Sequence, residues 1–215
     1  MGPGRLVFRL RLGLSALLIA PTLSACAAVD RIPALEERAK SAWSEVQTQH
    51  QRRADLIPGL VDTLKGFAQQ EREVMQQLTE ARSRATQARA DASTMTDAQT
   101  FRAFQEAQNQ LSAALGRLLA TVERYPELKS NANFLAARSQ LEGTEGRIAL
   151  ARRDYMVSAR AYNEELRTLP GRWIAALLYP EAQPLQTFTA AGSERSGLRR
   201  YVSDLAPEND RSPAR

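Results

Sequence analysis

The 215-residue chain predicts an all-α protein, an antiparallel helical bundle with a long Pro-kinked first helix, two further long helices and a short C-terminal helix. Three observations lead there. Apolar residues recur at steps of three and four over long stretches, the period of an amphipathic helix. Residues 134–169 keep alternating steps of four and three without a break, which marks a packed seam. Aromatic residues at 6%, with 11 glycines and 10 prolines, are few, whereas 43% hydrophobic and 25% charged residues are ordinary for a folded domain.

The first residues read as a leader. Arg5, Arg9 and Arg11 precede an uncharged Leu- and Ala-rich run from Leu12 to Ala25, the layout of a secretory signal. The run closes on Leu23, Ser24, Ala25 and Cys26, which resembles the bacterial lipobox. Small side chains before the scissile bond admit the protease to the backbone, and the Cys26 thiol is the group that would accept diacylglycerol. Two or three acyl chains anchor firmly, at about 0.8 kcal/mol per buried methylene. The alternative is an uncleaved signal anchor, because the uncharged stretch runs on to Val29, near the lower length limit for a membrane span, although Pro21 interrupts it. Either way, residue 30 onward stands beside a membrane. The expected organisation is a signal peptide at 1–25, a lipidated tether at 26–34, a helical bundle at 35–180 and an extended or disordered tail at 181–215, with 190–215 mostly disordered.

The first helix is expected from Asp30 to about Ala92, with Leu35, Ala39, Ala42, Val46, Leu56, Leu60, Leu64, Phe67, Val74, Leu78, Ala81 and Ala85 on its apolar stripe. Pro58 falls inside the stripe without shifting its phase, so it predicts a kink and not an end. The polar run 91–100 predicts a loop, with Thr96 or Asp97 capping the second helix. That helix places Phe101, Phe104, Leu111, Leu115, Leu118 and Val122 on one side and stops at Tyr125, before Pro126. Residues 126–131 predict a turn.

The third helix carries Phe134, Arg138, Leu141, Glu145, Ile148, Arg152, Tyr155, Ala159, Tyr162, Leu166 and Leu169 in heptad register. Three of these are charged, and a charge on a packed seam is costly unless partnered. Glu145 is therefore expected to pair with an arginine of the first helix, Arg52 or Arg53, where that helix's apolar stripe thins; a solvated seam edge is the alternative. Arg152 shares the seam one heptad on. Trp173, Ile174, Leu177 and Leu178 predict a short helix that covers one end of the bundle.

Charge and chemistry narrow the function. Removing Arg5, Arg9 and Arg11 from the formal charge of +5 leaves +2, with acids and bases interspersed, so nucleic acid is not the expected partner. The one cysteine excludes an intrachain disulfide and a multi-cysteine metal site. The one histidine, His50, has no second histidine at a zinc spacing and reads as an ordinary polar residue of the first helix. Gly143 and Gly146 form a GxxG within a helical heptad, where close helix packing is expected and not phosphate binding. Arg82, Arg84 and Arg89 are expected to face solvent, with anionic headgroups as the other possibility. No catalytic constellation, metal site or cofactor is expected, and the chain is not expected to be an enzyme.

Four segments carry a family likeness in order and spacing. They are Ala42-Trp43 with Gln51-Arg52-Arg53-Ala54-Asp55-Leu56-Ile57-Pro58-Gly59-Leu60-Val61; Thr79-Glu80-Ala81-Arg82-Ser83; Leu115-Gly116-Arg117-Leu118-Leu119-Ala120 with Tyr125-Pro126-Glu127-Leu128-Lys129; and Leu141-Glu142-Gly143-Thr144-Glu145 through Tyr155 and Tyr162-Asn163. In these the chain resembles the LemA family of bacterial envelope proteins, over about residues 35–190. The resemblance implies a membrane-tethered antiparallel helical bundle; family members more usually begin with a transmembrane segment, so the lipobox-like leader is a departure. The expected function is a non-enzymatic interaction or scaffold protein of the cell envelope. It would be held by membrane lipid through acylated Cys26, face the periplasm or cell exterior, and engage another envelope protein. Ala27 favours the inner leaflet of the outer membrane in a Gram-negative host. The alternative is an envelope binding protein with an apolar or peptide ligand in an inter-helix groove, near Tyr155 and Tyr162.

Overall fold

The computed structural model describes residues 29–67, 70–88 and 91–188. Among them the regular structure is helical: α1 (Arg31–Thr63), α2 (Arg72–Gln87), α3 (Ala98–Val122), α4 (Pro126–Lys129), α5 (Ala132–Glu165) and α6 (Gly171–Leu178), with 3₁₀ turns at Lys65–Phe67 and Ala92–Met95. The chain divides into two compact units. Unit 1 comprises Met1–Lys40 and Val157–Leu185, and unit 2 comprises Ser41–Met156 and Gln186–Arg215.

In unit 2 the apolar stripes of the helices meet in one core. Ile57, Leu60 and Leu64 of α1, Leu78, Ala81 and Ala85 of α2, Leu111, Leu115 and Leu118 of α3, Leu128 of α4, and Phe134 and Leu141 of α5 are all buried in it. Each large aliphatic or aromatic side chain taken from water here stabilises the fold by roughly 1.5–3 kcal/mol.

The expected single helix from residue 30 to residue 92 is two helices. α1 runs through Pro58 and ends at Thr63. Its last turn tightens, with the Leu64 amide donating to the Val61 carbonyl at 3.0 Å and Thr63 Oγ1 donating to the Leu60 carbonyl at 2.7 Å. The chain then turns and α2 begins at Arg72. The segment between the helices keeps the apolar phase, so both stripes reach the same core and periodicity alone could not reveal the break. Glu71, at the N-cap of α2, makes no side-chain cap. Its carboxylate instead accepts from Arg124 Nη2 at 2.9 Å and Tyr125 Oη at 2.7 Å, tying this turn to the end of α3.

The next boundary follows local rules. Asp91 accepts from the Thr94 amide at the start of the second 3₁₀ turn, and Asp97 Oδ2 accepts from the Thr100 amide at 2.7 Å, capping α3. The turn expected at 126–131 contains the short helix α4, opened by a proline in its first turn.

α5 is shorter than the heptad that announced it: it ends at Glu165, and Leu169, the last heptad position, is 61% exposed. The residue before a proline disfavours helical backbone, which stops the helix before Pro170 whatever the apolar spacing says. Neither glycine of the GxxG meets a neighbouring helix. A Cβ at Gly146 would touch nothing, and one at Gly143 would reach only Arg147 of the same helix.

The fold also continues past Pro180. In unit 2 the Gln186 amide donates to the Met95 carbonyl at 2.7 Å, Tyr155 Oη donates to the Gln186 carbonyl at 2.8 Å, and Phe188 is buried. In unit 1 Asn163 brackets Leu185, with Oδ1 accepting from its amide at 2.7 Å and Nδ2 donating to its carbonyl at 2.8 Å. The side-chain amide thus satisfies a backbone that has no strand or helix partner. Residues 190–215, expected to be disordered, lie outside the described residues.

Candidate functional site

Three helices of unit 2 carry polar residues at seam positions, and the fold brings them to one level. On α1 the buried positions advance by alternating fours and threes through Trp43, Val46, His50, Arg53, Ile57, Leu60 and Leu64. On α3 the same stepping runs through Phe101, Phe104, Gln108, Leu111, Leu115, Leu118 and Val122. On α5 it runs through Leu141, Glu145, Ile148, Arg152 and Tyr155. The result is a polar layer of His50 and Arg53, Gln108 with neighbouring Ser112, and Glu145 and Arg152.

Arg53 is its centre, with its side chain 1% exposed. Nη1 donates to Ser112 Oγ at 2.7 Å and to Glu145 Oε1 at 2.8 Å. Nη2 donates to Gln108 Oε1 at 2.6 Å and to the Gln108 carbonyl at 3.3 Å. Gln108 Nε2 in turn donates to the Ala85 carbonyl at 3.1 Å, which brings α2 into the layer. The planar fork of a guanidinium suits this convergence of acceptors from several directions. Arg52, the other candidate partner of Glu145, is exposed.

Arg152 does not hydrogen-bond Glu145. Its guanidinium lies 4.1 Å from the centroid of the Phe188 ring, a cation–π contact with the segment that follows Pro180. Burial, then the positive charge of Arg53, holds Arg152 below the ordinary guanidinium range, while Glu145 acts in the opposite direction. One carboxylate thus serves two guanidiniums, Arg53 buried and Arg152 half-buried.

His50, read from the sequence as an ordinary polar residue of the first helix, is buried beside them. Its ring meets Phe104 edge-on at 5.3 Å between centroids, and Nδ1 lies 3.4 Å from Arg53 Nη2. Burial foremost, then Arg53 and Arg152, keeps its pKa well below 6.5. A neutral imidazole with an acceptor nitrogen toward Arg53 fits those neighbours.

Above the layer stands an aromatic cluster. Trp43 stacks on Phe101 at 5.6 Å, meets Tyr155 at 4.9 Å and Phe104 at 5.5 Å, and lies 6.1 Å from Phe188. Burial pushes the Tyr155 hydroxyl pKa upward, and its proton is given to the Gln186 carbonyl. A groove of about 420 Å³ opens beside the layer, with His50, Ala54, Ala85, Phe104 and Gln108 among its walls.

Pro58 is bridged from outside its helix. Lacking an amide hydrogen, it leaves the Ala54 carbonyl, four residues back, without its helical donor. Arg82 Nε of α2 donates to that carbonyl at 2.8 Å. Arg82 is therefore a helix-to-helix tie and does not face solvent as expected. Arg84 is exposed and bonds Gln110, and Arg89 lies outside the described residues.

Unit 1 has its own polar anchor. Glu165, buried at the end of α5, accepts from Arg31 Nε at 3.0 Å. Gly171 packs on the same residue: a Cβ there would collide with the Glu165 carbonyl and come within 2.7 Å of Oε1, so only glycine admits α6 at this distance. At the other end of α6, Tyr179 Oη donates to the Val29 carbonyl at 3.2 Å. Between these ties α6 leaves Trp173 68%, Leu177 81% and Leu178 50% exposed. The apolar helix expected to cover an end of the bundle presents its large side chains outward. Tyr162 is buried here, its hydroxyl raised in pKa by burial and by Glu36.

Leu23, Ser24, Ala25 and Cys26 lie outside the described residues. Among the described residues no three metal-ligating side chains come together, and no helix is long and apolar enough to cross a membrane. The residues that sequence reading passed over were His50, Gln108 and Ser112. The signal for the first two was there: each completes a heptad seam that an apolar-only count leaves broken.

Comparison with known proteins agrees with the geometry. The LemA family model matches residues 42–198. Protein LemA of Metamycoplasma hominis is 23% identical over 167 residues, 78% of this chain and 69% of that protein. Magnetosome proteins MamQ 1 and MamQ 2 of Paramagnetospirillum magneticum are each 40% identical over 62 residues, 29% of this chain. The chain spans only 23% of the length of these two relatives. With the family model covering most of the chain on a helical fold, the protein belongs to the LemA family.

Proposed function

We propose that the protein is a membrane-tethered, non-enzymatic helical interaction module of the bacterial envelope. The observation that carries this reading is the polar layer of unit 2. Groups that a reaction centre would turn toward substrate are turned toward one another: both Nη atoms of Arg53 are engaged by Ser112, Glu145 and Gln108. His50 is held neutral against Arg53 and the Phe104 edge. Such a layer fixes the register of helices, because any sliding would bury an unpaired charge. Membership of the LemA family supports the envelope setting. The tether is the acylated Cys26, in the lipobox-like leader, and the body faces the periplasm or cell exterior.

Two measurements test this. Labelled palmitate should enter the chain and be lost in Cys26→Ser. Crosslinking in native membranes should then capture a defined envelope protein at fixed stoichiometry; recovery of crosslinks to lipid alone would sink the interaction reading.

A second reading rests on the groove of about 420 Å³ beside His50 and Phe104. Its size falls within the range of small-ligand sites. On this reading the groove holds an apolar or peptide ligand, and native mass spectrometry of the purified protein would show a discrete added mass that Ala85→Trp removes.

A further inference from the structure

We propose that α6 is an interfacial membrane helix, whose face of Trp173, Leu177 and Leu178 lies in the headgroup region of the bilayer that holds the N-terminal tether. The proposal rests on the tethering reading above and adds to it a second contact with the same lipid surface.

The helix is apolar where folding has no use for it. Leu177 is 81% exposed and Trp173 68%, and their spacing of four residues puts them on one face, continued by Leu178 at 50%. Contiguous exposed apolar surface of this kind marks a binding face. The choice of occupant comes from where the chain enters. The Tyr179 hydroxyl, next after α6, holds the carbonyl of Val29, the first described residue. Cys26 precedes Val29 by three residues, a span of at most about 10 Å when fully extended. A lipid attached at Cys26 therefore keeps the bilayer surface within about 10 Å of the point that α6 grips. Interfacial helices sit about 5–10 Å into that boundary, which the span allows.

The remaining chemistry fits a lipid surface. Tryptophan favours the headgroup level, where its ring is shielded and its Nε1–H stays hydrated. Arg172, beside Trp173 in the chain, is exposed, and a side chain of this kind can reach anionic headgroups while its stem covers apolar surface. The helix is also braced: Gly171 is seated on Glu165, and Glu165 is paired with Arg31 in the first turn of α1. The tether and the apolar face are thus tied to the same few residues.

The test uses the full chain, processed in its host envelope, extracted and reconstituted into vesicles of phosphatidylethanolamine and phosphatidylglycerol with brominated acyl chains. The chain has two tryptophans, and Trp43 is buried in unit 2, so Trp173→Phe identifies the Trp173 emission by difference. The proposal expects most Trp173 emission to be lost to the brominated lipid and shielded from aqueous iodide. Leu177→Glu should restore emission while leaving flotation and circular dichroism unchanged. If the protein floats through Cys26 but Trp173 stays open to iodide, the interfacial helix is overturned and the tether stands. Shielding from iodide without quenching by brominated lipid would mean that protein covers the face, and also overturns it. Failure to float overturns both readings together.

Discussion

Arg53 in unit 2 is 1% exposed, whereas Trp173 in unit 1 is 68% exposed. Ordinary partition would put the guanidinium in water and the indole inside. The two departures differ in how they are balanced. Arg53 is compensated within its unit, by a hydroxyl, an amide, a carbonyl and a carboxylate from α3 and α5. Trp173, Leu177 and Leu178 have no such compensation among the described residues of unit 1. A buried charge surrounded by partners reports a fold that needs one register; an exposed apolar face held by rigid ties reports a surface that something else completes.

Breaking the compensated side should have the largest effect. Arg53→Met leaves Glu145 and Gln108 without their donor, and loss of one member of a buried pair costs about 3–5 kcal/mol. Chemical unfolding should show it, with the double variant Arg53→Met/Glu145→Leu regaining a large part. Glu145→Ala should also destabilise strongly, because it leaves the guanidinium of Arg53, 1% exposed, without its counter-charge, whereas the carboxylate left by Arg53→Met is 22% exposed and partly screened by water. Equal midpoints for wild type and Arg53→Met would refute the register role.

Arg82→Met comes next. It strands the Ala54 carbonyl at Pro58, and a hydrogen bond from a charged donor is worth about 1.5–3 kcal/mol. Combining it with Pro58→Ala, which restores the helical donor, should recover the melting temperature; no recovery would show that Arg82 matters for another reason.

Gly171→Ala addresses unit 1. The added methyl meets the Glu165 carbonyl, and overpacking of this kind costs about 1–3 kcal/mol. The accompanying readout is faster proteolysis around α6, and an unchanged cleavage pattern would count against the close seat.

The pH dependence of stability isolates His50. Its folded pKa is depressed below 6.5 by burial and by two arginines, so the unfolded chain binds the proton first as pH falls. Stability is then whole above about pH 6.5 and declines below it, by at most about 1.4 kcal/mol per pH unit from this one group, until the depressed folded value is reached. His50→Gln should flatten that part of the curve. A slope that survives the substitution belongs to other groups.

Leu177→Glu should do least to the fold. At an exposed position away from packing the change in stability lies within about ±0.5 kcal/mol. A large loss on thermal melting would mean that the α6 face is already buried, which contradicts the contrast between the units.

Much of the helical plan is readable from residue spacing. The α3 stripe from Phe101 to Val122 and its cap depend on contacts within a few residues; the stripe stands as the spacing implies, and of the two cap candidates, Thr96 and Asp97, the structure uses Asp97. The turn between α1 and α2 was not legible, because the intervening residues preserve the apolar phase that would otherwise signal a break. Pro170 was a legible stop for α5, but the heptad still overran the helix, because apolar spacing runs on to Leu169 while the helical backbone ends at Glu165. In the polar layer the charges on α5 stood out because they interrupt an apolar series. On α1 the thinning of the apolar series pointed to Arg52 and Arg53 without choosing between them, and His50 did not stand out.

The sequence alone determined helix type, most of the apolar seams and the place of the α3 cap to within one residue, which follow from periodicity and short-range hydrogen bonding, and its four ordered segments carried the family likeness. Tertiary structure decided which arginine holds Glu145, that Arg82 supplies the donor missing at Pro58, that Phe188 lies against Arg152, and that α6 turns its apolar side chains outward. These depend on residues 28 to 92 positions apart meeting at hydrogen-bond distance or on which face of a helix is left uncovered. A one-dimensional pattern carries no information about either until the helices are packed.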